Sequence, residues 1–158
     1  VGKYPIKAVQ VMDKIARRVE QVIDYAAILR EKANEGRNAI DQAVSLAACQ
    51  VSQDLDVGVM ICSTFSGATA RFLSQKRPKA VIFATSPNEM VVRQLALAWG
   101  VCAAHMVRPP EVEAMVQKSI EQAKSHGLIA EGDIVTVTAG LAGGTAGSTN
   151  MLRVLRVQ

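Results

Sequence analysis

Aromatic residues are scarce in this 158-residue sequence: phenylalanine, tyrosine and tryptophan together make up 4%. Any core must therefore be mostly aliphatic, and no set of aromatic platforms is present on which nucleic-acid bases could stack. Cysteines are few (Cys49, Cys62 and Cys102), and none belongs to a Cys-x-x-Cys pair. That excludes a disulfide frame and a zinc ribbon and suits a reducing compartment. Two histidines, His105 and His126, are too few for a histidine-rich metal centre. No apolar run reaches the roughly 20 residues a membrane-spanning helix needs, and no signal peptide is visible at the start. A basic run is missing too. The net charge is +4 and the pI about 9.2, but the 18 basic residues are interleaved with 14 acids. We expect a solvated surface, no nucleic-acid partner, no membrane, and a mild preference for anionic metabolites.

Hydrophobic residues make up 49% and charged ones 20%, the composition of one globular domain with a sizeable core. Pro5 sits where a first helical turn tolerates it. Ile6, Val9, Met12, Ile15, Ala16, Val19, Val22, Ile23 and Ala26 then recur at helical spacing, which predicts a long amphipathic helix. The pattern weakens from Ala27 to Asn34, and Gly36 marks a break. A second helix is predicted from about Arg37 to Gln53. The period then changes. Val57–Ile61, Ala80–Thr85, Val101–Val107, Ile134–Thr138 and Met151–Val157 read as strands. Helices are predicted from Ala70 to about Gln75, from Ser86 to Ala98 with Ser86 as cap and Pro87 in the first position, and from Glu111 to His126. Strands alternating with helices predict an α/β fold, a three-layer sandwich around a five-stranded, mostly parallel sheet, preceded by the long N-terminal helix. The last two strands are joined without a helix, so the fifth is expected to be antiparallel at an edge.

Ligands in such sheets bind beyond the carboxyl ends of the strands. Two small-residue segments lie there. The first is Cys62-Ser63-Thr64-Phe65-Ser66-Gly67-Ala68-Thr69-Ala70, between a buried strand and a helix. Free amides at a helix start, with the hydroxyls of Thr64, Ser66 and Thr69, would suit a phosphate. The plainer reading is that Ser66 caps the helix. The second is the glycine-rich loop Ala139–Gly147, which either connects edge strands or folds over a bound phosphate. It is not a P-loop, since no suitably placed lysine follows and no helix comes after it. It is not a dinucleotide fingerprint either, and Ser66 lacks the flanking glycines of a nucleophile elbow. No Ser-His-acid set and no metal-ligand spacing stand out, and His105 reads more readily as a core or rim residue than as a catalyst.

"GKYP" from Gly2, running into "AVQVMDKIARRVE", resembles the last helix of the catalytic barrel of pyruvate kinase. "STFSGATARFLSQKRPKAVIFATSPNEMVVRQLALAWGV" is similar to the C-terminal domain of that family, and "GDIVTVTAG" with "GSTNMLRV" matches its closing strands and effector loop. The resemblance covers essentially the whole chain and implies three segments: residues 1–26 as the barrel's terminal helix, 27–36 as a connection, and 37–158 as the C-terminal α/β domain. It implies an allosteric site for a phosphorylated effector and contacts within a homotetramer. The phosphate cradle would be Thr64, Phe65 (through its backbone), Ser66, Gly67 and Thr69. The effector loop would include Gly140, Gly143, Gly144, Gly147 and Ser148. A long or polar side chain common in the family is replaced by Ala68, and the insertion that holds the second phosphate of fructose 1,6-bisphosphate is missing; Trp99 is not its tryptophan. The effector implied is a sugar monophosphate or AMP rather than that bisphosphate. The whole cytoplasmic enzyme would move a phosphoryl group from phosphoenolpyruvate to ADP with magnesium and often potassium. Its catalytic lysine and metal-binding carboxylates belong to the barrel, so this chain, with no catalytic, metal or cofactor site of its own, is expected to be inactive alone. The alternatives are a free-standing phosphometabolite-binding protein of the same fold and an assembly domain with a vestigial site.

Overall fold

A computed structural model describes residues 2–33, 39–140 and 149–158. Five strands form one sheet: β1 (Val59–Ser63), β2 (Val81–Ser86), β3 (Val101–His105), β4 (Ile134–Gly140) and β5 (Thr149–Arg156). Their order is β3-β2-β1-β4-β5. β1 pairs in parallel with β2 and β4, β2 pairs in parallel with β3, and β5 runs antiparallel to β4 at the edge. The expected sheet is thus the one observed.

The period-two alternation of a strand sends its side chains to two separate cores. Val59 and Ile61 of β1, Phe83 of β2 and Val135 and Val137 of β4 pack on one face, beneath α6 (Val112–Ser125) through Met115, Val116, Ile120 and Ala123. Met60, Cys62, Ile82 and Ala84 point the other way. They meet α3 (Ile40–Asp54) through Ala48 and Cys49, α4 (Ala68–Gln75) through Ala70 and Leu73, and α5 (Glu89–Leu95) through Val91 and Leu95. Helices therefore cover both faces, which is why β1 is buried along its whole length. The edge strand β5 is also tied to α6 by Arg153, which donates two hydrogen bonds to Glu113 at 2.7 and 2.8 Å. These bonds hold the Glu113 carboxyl below its ordinary range. Their small contribution is present above the unfolded-state value and is lost as pH falls through the lowered one.

The N-terminal helix differs from the expectation. α1 (Pro5–Glu20) stops at Gln21, and α2 (Tyr25–Ala33) occupies part of the stretch where the helical pattern weakens. The break has a local cause. Asp24 Oδ1 accepts a hydrogen bond from the Ala27 amide at 2.9 Å and so satisfies one orphan donor of the new helix. The stripe through Val22, Ile23 and Ala26 therefore spans two helices. α2 buries Leu29 in the core shared with α3, α4 and α5. α1 buries none of its side chains, and Ile6, Val9, Met12, Ile15 and Val19 all stay exposed, Ile6 by 74%.

Two caps also move. The helix predicted from Ser86 begins at Glu89, capped by Asn88, whose side chain accepts from the Met90 amide at 2.9 Å. Ser86 instead ends β2. α4 begins at Ala68, two residues before the predicted start, and its N-cap is Gly67 rather than Ser66.

Candidate functional site

β1 delivers the chain to the carboxyl end of the sheet, and the turn that follows is held by its own small side chains. The Thr64 amide donates to the Thr85 carbonyl at 2.9 Å and keeps the turn aligned with β2. Thr64 Oγ1 accepts from the Gly67 amide at 3.0 Å, and Ser66 Oγ accepts from the Ala68 amide at 3.4 Å. Gly67 takes a left-handed φ of +79°, which reverses the chain into α4. The amides of Phe65, Ser66, Thr69 and Ala70 have no acceptor among the described residues. A cluster of free N–H groups at the positive end of a helix is an anion receptor.

The second segment reaches the same place. Gly140, the last residue of β4, is in register with Thr149, with an irregularity at Ala139/Gly140. The Thr149 hydroxyl is hydrogen-bonded to the hydroxyl of Thr69, and both residues are buried. The start of α4 is thereby tied to the start of β5. Arg108, beyond the end of β3, donates through Nη2 to the Gly140 carbonyl at 2.7 Å. Of the loop residues expected to close over a ligand, Gly143, Gly144, Gly147 and Ser148 lie outside the described residues, while Gly140 stands at the root.

The structure thus brings Thr64, Phe65, Ser66, Gly67 and Thr69 into one turn and sets Gly140 beside it. It gives Thr69 a different partner from the one its hydroxyl suggests, since that group meets Thr149. Phe65 offers its amide and is 51% exposed, and its carbonyl accepts from Ser86 Oγ at 3.4 Å. His105 ends β3, with Nε2 at 3.2 Å from the Pro87 carbonyl, two strands from β1.

Three contributors escape a reading by residue type: Arg71, Arg108 and Thr149. Arg71 was legible by spacing, since a residue four after Gly67 lies one helical turn on and its side chain leans back toward the helix start. Its Nη2 donates to the Ser66 carbonyl at 2.8 Å. Arg108 and Thr149 depend on pairings between distant strands, which no local pattern carries.

Acid–base or nucleophilic chemistry has little to work with here. Thr64 Oγ1 and Ser66 Oγ meet backbone amides, not a histidine or a carboxylate, so neither is activated for attack. Burial pushes the thiols of Cys49 and Cys62 up to about 12. Among the described residues, no group of three His, Cys, Asp or Glu side chains is placed to hold a metal ion. A cavity of about 300 Å³ lies away from this turn, between α2, the end of α3 and the entry to β2, and is lined by Leu29, Cys49, Val57 and Ala80.

Comparison with known proteins adds four findings. Residues 42–155 match the family described as pyruvate kinase, alpha/beta domain. The chain is 39% identical over 158 residues to a pyruvate kinase of Clostridium acetobutylicum, an alignment covering 99% of this chain and 33% of that protein. It is 36% identical over 153 residues to a pyruvate kinase of Geobacillus stearothermophilus, covering 97% and 26%. Among solved structures, a pyruvate kinase from Cryptosporidium parvum superposes with a TM-score of 0.84 at 26% identity, over 99% of this chain and 31% of that one. The chain spans about a quarter to a third of the length of these relatives. By the family match over most of its length and by its five-stranded mixed sheet, the chain belongs to the pyruvate kinase family, as that family's alpha/beta domain.

Proposed function

We propose that this chain is the effector-binding and assembly domain of a pyruvate kinase. The observation that carries the reading is the turn from Thr64 to Ala70, where four backbone amides lack acceptors among the described residues. The ligand is a phosphorylated metabolite, a sugar monophosphate or AMP. Its phosphate sits against Thr64, the Phe65 amide, Ser66, Gly67 and the Thr69 amide, with Gly140 at the root of the neighbouring loop. α1 is the terminal helix of a catalytic barrel, and its exposed stripe packs there. The whole protein, a cytoplasmic homo-oligomer, transfers a phosphoryl group from phosphoenolpyruvate to ADP. Its magnesium and potassium are held by the barrel, and this chain alone does not catalyse the reaction.

Ala68 favours a second reading, an assembly domain whose ligand site no longer works, because a small side chain there removes one polar contact. Thermal-shift titration at low salt separates the two. The ligands are AMP, ribose 5-phosphate, glucose 6-phosphate and fructose 1,6-bisphosphate. At about 100 times its dissociation constant, a ligand adds about 2.7 kcal/mol of stability, or roughly 5–10 °C in melting temperature for a chain of this size. In Ser66→Asp the shift is expected to vanish, because the new carboxylate repels the phosphate and competes for the same amides. If no phosphate ester shifts the wild-type chain, the assembly-only reading stands.

A further inference from the structure

Beyond the backbone amides, the turn carries the positive charge of Arg71, which has no acidic partner among the described residues. The Arg71 guanidinium donates through Nη2 to the Ser66 carbonyl at 2.8 Å. It also lies against Gly67, whose missing Cβ would fall 2.9 Å from Nη1 and 3.3 Å from Cζ. The Arg71 amide donates to the Gly67 carbonyl at 3.0 Å, so the side chain rises one turn after Gly67 and folds back over it. No Asp or Glu among the described residues forms an ion pair with Arg71. A guanidinium has five N–H donors, and among the described residues one hydrogen bond is made here.

We infer that Arg71 supplies the charge of this anion site and selects the dianionic form of a phosphate ester. The inference rests on the effector reading above and adds to it a residue and a ligand charge state. Neutral amides and hydroxyls orient an oxyanion, but a second negative charge is held by a cation, and a planar guanidinium does so through two parallel bonds. The Ser66 carbonyl holds the guanidinium at the rim before the ligand arrives.

The test is calorimetric titration of the 158-residue chain with ribose 5-phosphate and with inorganic phosphate, from pH 5 to 8 and at two salt concentrations. In the wild type, affinity is expected to rise as the phosphate monoester becomes a dianion near pH 6. Arg71→Met should weaken binding about tenfold or more at pH 8, flatten that rise and reduce the salt dependence. Arg71→Lys keeps the charge and should retain most of the pH response. A brace that merely holds the turn would alter neither the pH profile nor the salt slope. If Arg71→Met no longer melts cooperatively, Arg71→Gln, a neutral and polar replacement, takes its place with the same expectation. Unchanged affinity and pH profile in these variants, with binding lost in Ser66→Asp, overturn the role of Arg71 and leave the site standing. Failure of the wild type to bind any phosphate ester overturns both.

Discussion

Gly67→Val should lose phosphate binding and thermal stability together. Two independent features make this position intolerant. Its φ of +79° lies in the left-handed region, where a β-branched residue is strained by about 1–3 kcal/mol. A Cβ there would also stand 2.9 Å from Arg71 Nη1 and 3.0 Å from Val91 Cγ1. Arg71 is exposed and can swing aside, but Val91 is buried in the core beneath α3, α4 and α5 and cannot. The start of α4 must therefore shift, and with it the free amides that define the site. We expect a fall of about 3–10 °C in melting temperature and no measurable affinity for ribose 5-phosphate. Gly67→Ala carries the same contacts with less strain and should fall between. A Gly67→Val chain that binds like the wild type would show that the turn is not the receptor.

The other large effect lies far from any ligand. Phe83→Ala is expected to cost about 3–5 kcal/mol, or on the order of 10 °C in melting temperature. Phe83 heads the fully buried side chains by volume. It sits on the face of β2 beneath α6, in the same core as Ile61 and Val137, with its ring centroid 5.3 Å from that of His126. Few bulky residues are available to collapse into the space, because the surrounding core is built from Val, Ile, Met and Ala. The turn at Thr64–Ala70 belongs to the opposite face, so ligand affinity measured well below the melting temperature should be unchanged. Calorimetric unfolding with and without ribose 5-phosphate checks both halves of the expectation.

The two variants also mark where sequence reading works and where it stops. The sheet was legible because β1 to β4 are short, mostly apolar runs separated by segments that contain Gly or Pro, and because no helical pattern separates β4 from β5. The turn was legible because Ser, Thr and Gly cluster between a strand and a helix start. The caps were misread for a physical reason: several residues in a row could cap. Asn88 wins over Ser86 because β2 continues through Ser86, and Gly67 wins over Ser66 because only glycine takes the reversed φ at no steric cost. The end of α1 was missed because a helical stripe continues through Val22 and Ala26 with no Gly or Pro to stop it, while the side chain of Asp24 starts a new helix. Arg108 on Gly140 and Thr69 on Thr149 were out of reach in principle, since such contacts follow from strand order and not from neighbours in the chain.

The seat of α2 has an optical consequence. The sequence contains one tryptophan. Trp99 lies with its ring centroid 6.2 Å from that of Tyr25, the first residue of α2, and the Arg77 guanidinium stands 4.8 Å over its face. Ser74 Oγ anchors its carbonyl at 2.7 Å. The fluorophore therefore reports from a single seam. Light absorbed by Tyr25 should emerge as Trp99 emission while α2 is seated, and tyrosine emission should return when it leaves. Followed against far-ultraviolet dichroism during a thermal ramp, that donor–acceptor signal reports whether the N-terminal helices detach before the sheet melts or with it.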